Sequence, residues 1–228
     1  MASPSPDAHK KHLRELFRLL EVNVININRQ KCTFGQSEVR YLGHIVNQDG
    51  IRPLPSRVED LLQFPVPDSK LGVQRFLGML NYYRRFIPKI ANVLVPLHLA
   101  VTQAGRPKQS IVCDKACSDA FTSAKHQLAN AVLLHHPNPF SATALTVDAS
   151  ETAVGADLDQ RGSDHSWKPL AFFSHKLTGA EMKYSAFDRE LLAIYLSVRH
   201  YKHFMEGKHF VIFTDHKPLI YTLSLIHI

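Results

Sequence analysis

Three acidic residues sit where a fold can gather them. Asp148 closes the run Leu145-Thr-Val-Asp148, Asp215 closes Phe210-Val-Ile-Phe-Thr-Asp215, and Glu190 lies in Phe187-Asp-Arg-Glu190-Leu-Leu192. The two aspartates read as strand ends and the glutamate as a helix residue. In open α/β sheets, sites form outside the carboxyl ends of strands, where both aspartates would lie. Three carboxylates held close together repel one another unless cations sit between them. Mg²⁺ suits such an all-oxygen set. Two divalent ions held in this way form one arrangement that cuts phosphodiesters. The same residues also have an ordinary reading, in which an aspartate after a strand is a turn residue and a helical glutamate is solvated.

The elements that must position these acids can be read from periodicity. Residues 144–147, 154–158, 169–173 and 210–213 read as strands. Residues 180–205 read as one helix whose apolar stripe runs through Phe187, Leu191, Ile194, Val198, Tyr201 and Met205, with Glu190 at its rim. Three strands, a helix and a strand predict a mixed α/β layer with the last strand parallel to a partner. Upstream, a helix is expected over 8–21, alternating strand-like runs over 22–27, 33–34 and 39–46, and a turn at Asn47-Gln-Asp-Gly50. Helices follow over 56–63, over 69–86 with Ser69 as N-cap, and over 117–128. Residues 103–109 read as a linker, and 135–139 as a second break.

Charge divides the chain. Residues 1–108 carry 16 Lys and Arg against 8 Asp and Glu, whereas residues 109–228 carry 11 against 12. The basic half suggests a polyanionic partner, and ordinary solvated lysines and arginines fit the same count. The three cysteines exclude a full disulfide framework. Cys113, Cys117 and His126 lack a fourth ligand at sensible spacing, so ordinary thiols are expected there. No apolar run approaches the roughly 18 residues of a membrane span, and no signal-peptide pattern opens the chain. The expectation is an intracellular protein with no membrane partner.

The words around the acids are more specific than their spacing. Leu145-Thr-Val-Asp-Ala-Ser150, Ala153-Val-Gly-Ala156, Lys168-Pro-Leu-Ala-Phe-Phe-Ser-His-Lys-Leu177, Lys183-Tyr-Ser-Ala-Phe-Asp-Arg-Glu-Leu-Leu-Ala193 and Phe213-Thr-Asp-His-Lys-Pro-Leu219 resemble the RNase H domain of gypsy-type long-terminal-repeat retrotransposon Pol polyproteins. Upstream, Lys31-Cys-Thr-Phe-Gly35, Val39-Arg-Tyr-Leu-Gly-His-Ile-Val46, Gly50-Ile-Arg-Pro53 and Phe76-Leu-Gly-Met-Leu-Asn-Tyr-Tyr-Arg-Arg-Phe-Ile87 resemble the end of the palm and the thumb of the same reverse transcriptases. The resemblance implies an α/β chain in three parts. These are a palm remnant over 1–55, a helical thumb over 56–104, and an incomplete, mixed-sheet RNase H-like domain over 110–228.

By motif, the resemblance implies that Asp148, Glu190 and Asp215 are three of four RNase H carboxylates, holding two Mg²⁺ ions. The substrate implied is the RNA strand of an RNA–DNA hybrid. Tyr41, Leu42, Gly43 and His44 match the hairpin that supports the primer of a primer-template, and Arg84 and Arg85 are expected as backbone contacts. His216, directly after Asp215, is expected either as an auxiliary to the metals or as strand-end packing. The paired-aspartate polymerase motif is not found, and Ala2-Ser-Pro-Ser5 matches text that follows it in the family. The fourth carboxylate would lie beyond Ile228, residues 224–228 do not match the family, and Asp157 stands where an apolar strand residue is usual. The parent implied is a polyprotein with palm, fingers and integrase, in a cytoplasmic, nuclear or virus-like-particle setting. Two rivals fit the same residues: a decayed or domesticated product that binds nucleic acid without cutting it, and an unstable fragment.

Overall fold

The computed structural model describes residues 3, 5–104, 111 and 113–219. The chain divides into two compact units, residues 1–39 and 40–228. In the first, helix α1 (Pro6–Val22) begins at Ser5, whose hydroxyl accepts from the Ala8 N–H at 3.2 Å. That bond satisfies one of the free donors of the first turn. Phe17 meets the ring of Phe34 edge-on at 6.0 Å. The strand-like alternation over 22–27 does not become a strand. Val24 takes a left-handed φ of 56°, and the Ile25 N–H returns to the Leu20 carbonyl at 2.9 Å, closing the helix instead. Thr33 and Phe34 also lie outside any strand.

Strands β1 (Glu38–Tyr41), β2 (His44–Asn47) and β3 (Ile51–Pro53) form a sheet in that order. The Asn47–Gly50 turn forms as expected, with the Asn47 side chain accepting from the N–H groups of Asp49 and Gly50. A helical layer follows: α2 (Pro55–Leu62), α3 (Lys70–Tyr82), α4 (Ile90–Val93), α5 (Val95–Gln103) and α6 (Lys115–Ala129). Ser69 caps α3 through the Gly72 N–H. The expected helix over 69–86 ends early, because Tyr83 leaves helical geometry and Arg84–Phe86 form a single 3₁₀ turn. Phe76, at 0% exposure, packs on Phe121 at 4.5 Å and Phe64 at 5.8 Å in the core of this layer. Cys113 and Cys117, expected as thiols, are paired with Cα atoms 5.3 Å apart. Of the linker expected over 103–109, residues 105–109 lie outside the described residues.

The second sheet contains β4 (Thr143–Ala149), β5 (Ala153–Arg161), β6 (Trp167–Lys176) and β7 (Phe210–Phe213), in the order β6-β5-β4-β7. The first three strands are antiparallel, and β7 lies parallel to β4 with Leu145 opposite Ile212. This is the mixed α/β architecture expected. The crossover is not one helix, however. Tyr184 is extended and Ser185 caps a new start through the Asp188 N–H, giving α7 (Ala186–His200) and a short α8 (Lys202–Met205).

Strand alternation sorts the side chains onto two faces. Leu145, Val147, Val154, Ala156, Leu158 and Ala171 join Ala193 and Ile194 of α7 in one core. Asp148, Gly155, Asp157, Phe172 and Ser174 alternate onto the other face, and Phe172 packs into the core of the helical layer. Among the described residues, no helix is long and apolar enough to cross a membrane.

Candidate functional site

The register of the sheet sets where the acids stand. Asp148 is the penultimate residue of β4, opposite Gly155 of β5. Asp215 follows β7 by two residues, so the parallel pairing of β4 and β7 puts both aspartates at the same end of the sheet. Glu190 comes from α7 and is 6% exposed. Its Oε1 accepts the Ala149 backbone N–H at 3.0 Å, which fixes the carboxylate over the end of β4. Its Oε2 is buried and has no hydrogen-bond partner among the described residues. Burial pushes the Glu190 carboxyl above the usual glutamate range, and the negative charges of Asp215 and Asp148 push in the same direction. The three acids therefore act on one another electrostatically. Among the described residues, no group of three or more His, Cys, Asp or Glu side chains is gathered closely enough to hold a metal ion.

A cation that sequence reasoning missed stands at Asp148. Lys89 Nζ lies 2.6 Å from Asp148 Oδ2. That hydrogen bond raises the lysine above its usual range, and the charges of Asp157 and Asp215 reinforce it. The two partners are 59 residues apart, so no spacing pattern connects them. Asp157 is a further acid, on the same sheet face as Asp148. Burial pushes its carboxyl up to about 6, helped by Asp159 and Asp148 and opposed by Lys89. His216 donates its backbone N–H to Thr214 Oγ1 at 3.1 Å and sets its ring edge-on against Phe187 at 5.9 Å. The ring thus packs on α7, on the same helix as Glu190.

The other expected site residues lie on the β1–β2 hairpin and at the end of α3. Leu42 and Gly43 both take positive φ, 44° and 72°, the pattern of a type I′ hairpin turn. A Cβ at Gly43 would stand 3.0 Å from the Tyr83 hydroxyl, so the turn requires glycine twice over. The hydroxyl of Tyr82 donates to the Leu42 carbonyl and that of Tyr83 to the Gly43 carbonyl at 3.4 Å. The His44 ring stacks on Phe86 at 5.3 Å, and burial lowers its pKa. Tyr41 and Leu42 stay exposed at the tip.

The two arginines expected to act together diverge. Arg85 lies over the Phe86 ring, 5.6 Å from its centre, and its charge reaches His44. Arg84 bonds to Asn81 Oδ1 at 3.2 Å, is partly desolvated, and acts on His98 and His200 instead.

Residues 114–212 match the family model described as the RNase H-like domain found in reverse transcriptase. Over these residues the chain is similar to that domain family. Asp148 and Glu190 fall inside the matched range and Asp215 just after it. The Tf2-3 and Tf2-4 transposon polyproteins of Schizosaccharomyces pombe are each 33% identical over 220 residues, which is 96% of this chain and 16% of theirs. The chain thus spans about a sixth of the length of these relatives, and its resemblance to retrotransposon Pol polyproteins holds across nearly all of its own. The fold matches two solved structures of the foamy viral protease-reverse transcriptase. One, with double-stranded DNA, aligns at a TM-score of 0.81 and 18% identity over 97% of this chain and 39% of that one. The other, with an RNA/DNA hybrid, aligns at 0.79 and 19% over 96% and 30%. The second sheet and the helical layer before it therefore share the fold of these structures.

Proposed function

We propose that this chain carries the hydrolytic site of a retrotransposon reverse transcriptase, and that it cuts the RNA strand of an RNA–DNA hybrid. The observation that carries the reading is Glu190. It is a buried carboxylate, fixed at one oxygen, with its second oxygen unpartnered among the described residues and in the field of Asp148 and Asp215. A buried acceptor without a donor is expensive unless a ligand satisfies it.

The all-oxygen chemistry of Asp148, Glu190 and Asp215 suits Mg²⁺, and these residues would hold it once drawn closer than they stand here. When bound, such ions supply an activated water and stabilise the leaving oxygen of the phosphodiester. The chain's own contribution is placement. The Ala149 N–H orients Glu190, the β4–β7 pairing sets both aspartates at one sheet end, and the packing of Phe187 on His216 secures the segment after β7.

The reading extends to the grip on the substrate. The exposed Tyr41–Leu42 tip, supported from behind by Tyr82, Tyr83 and His44, would touch the primer strand of a primer-template. Arg85 would contact a phosphate. Arg84, half-buried toward His98 and His200, would contribute field more than contact. In this reading the chain comprises the palm end over 1–55, the thumb over 56–104 and the RNase H-like domain over 110–228, and works inside the cell as part of the larger polyprotein. A binding-only role is the second reading, favoured by the Lys89 ammonium resting on Asp148.

The test is Mg²⁺-dependent cleavage of a labelled hybrid by the wild-type chain and by Asp148→Asn and Glu190→Gln. Cleavage by wild type and at least a hundredfold loss in both variants is the expected result, on the scale of losing an electrostatic group at the reacting centre (about 10²–10³). Equal cleavage by all three proteins defeats the hydrolytic assignment. Salt-sensitive hybrid binding with no cleavage by any of them selects the binding-only role.

A further inference from the structure

The segment around α4 carries more than a connection between helices. Lys89 has a left-handed backbone, φ 50° and ψ 24°, a conformation a lysine holds only when its surroundings impose it. Its stem lies over Gly155, where an added Cβ would stand 3.5 Å from Lys89 Cγ. From there the ammonium reaches Asp148 Oδ2 at 2.6 Å. The next residues fasten the segment to the same end of the sheet. The Ala91 N–H donates to Ser174 Oγ at 3.2 Å. Asn92 Oδ1 accepts from the hydroxyls of Ser150 at 2.8 Å and Thr152 at 3.3 Å. Four hydrogen bonds from Lys89, Ala91 and Asn92 thus grip β4, β6 and the β4–β5 turn, and the Lys89 stem covers β5.

Their common effect is to park a positive charge on one of the three candidate metal-binding acids. A carboxylate oxygen engaged at this distance by an ammonium is not free for a divalent ion, and the ammonium repels that ion as it approaches.

We propose that Lys89 is the resident counter-cation of the hydrolytic site, occupying Asp148 until a divalent metal displaces it, so that the docking of α4 sets the metal affinity of the RNase H-like domain. This rests on the reading of Asp148, Glu190 and Asp215 as metal ligands. Lys89 acts through Asp148 and is a positioning residue. It offsets one negative charge of the acid cluster while no metal is bound, and it places control of metal loading on the helical layer that precedes the sheet.

The experiment is Mn²⁺ binding to the full chain by electron paramagnetic resonance, without nucleic acid, for wild type, Lys89→Met, Lys89→Arg and Asp148→Asn. Lys89→Met should bind Mn²⁺ about fivefold more tightly than wild type, the ceiling for removing a half-exposed ion pair. Lys89→Arg should restore wild-type affinity, and Asp148→Asn should weaken binding.

Equal affinity in wild type and Lys89→Met, with Asp148→Asn still weakened, overturns the role of Lys89 and leaves the metal site intact. No Mn²⁺ bound by any variant overturns the metal-site reading and the proposal with it. Lys89→Gly, which suits the left-handed backbone, is the second charge-removing variant, and thermal melting verifies that each protein is folded. Tightening in Lys89→Met without tightening in folded Lys89→Gly also overturns the proposal, because both remove the same charge.

Discussion

Replacing Asp157 with Asn should stabilise the protein at neutral pH and leave it unchanged in acid. Asp157 lies on β5 between Thr146 and Phe172 of the neighbouring strands, and burial together with Asp159 and Asp148 pushes its carboxyl up to about 6. An acid whose pKa is higher folded than unfolded stabilises the fold while protonated, and that contribution is lost as pH rises through the folded value. A rise of about two units from an ordinary value near 4 sets a ceiling of about 3 kcal/mol. Asp157 is partly open to solvent and faces Lys89, so screening reduces the effect to about 1–2 kcal/mol. For a chain of this size that is roughly 3–6 °C in melting temperature. The assay is thermal denaturation of wild type and Asp157→Asn between about pH 3.5 and 8 in chelator-treated buffer. The difference between the two proteins should open between about pH 4 and 7 and be near zero below that window. A difference of the same size at both ends of the range, or a destabilised variant at pH 8, would refute the reasoning.

Other expected outcomes rest on single contacts. Gly43→Ala must hold a Cβ at φ 72° and 3.0 Å from the Tyr83 hydroxyl, so it should lose about 1–2 kcal/mol by chemical denaturation. Tyr201→Phe removes a buried hydroxyl that donates to the Ala171 carbonyl at 3.0 Å. The carbonyl left behind should cost about 1–3 kcal/mol, read as a lower denaturation midpoint with an unchanged slope. Phe76→Ala opens the core of the helical layer beside Phe121 and Phe64 and should cost about 3–5 kcal/mol in the same measurement.

Where the sequence repeats a local rule, the structure follows it. The alternation of β4, β5 and β6, the apolar stripe of α7 and the caps at Ser5 and Ser69 all reflect neighbours a few residues apart. The single helix read over 180–205 failed at two places: Tyr184, ahead of the stripe, is extended and lets Ser185 restart the helix, and Tyr201, inside the stripe, ends α7. The strand-like run after α1 failed because Val24 turns left-handed to close the helix, an outcome alternation does not encode. At the candidate site, the three acids could be named from the words around them. Lys89 could not, since its partner is reached only after the helical layer folds against the sheet. Asp157 was visible as an oddity in an apolar strand, but its raised carboxyl depends on Asp159, Asp148 and burial together.

Phe172 gives the last consequence. It projects from the second sheet, yet its ring completes the core built by α2, α3, α5 and α6. The sheet is a wall shared by two rooms, and removing either side strips apolar surface from the other. The helical layer and the sheet should therefore melt in one cooperative step. A protease that nicks between them should release no stably folded half, and denaturation followed by a probe on either side should trace the same curve.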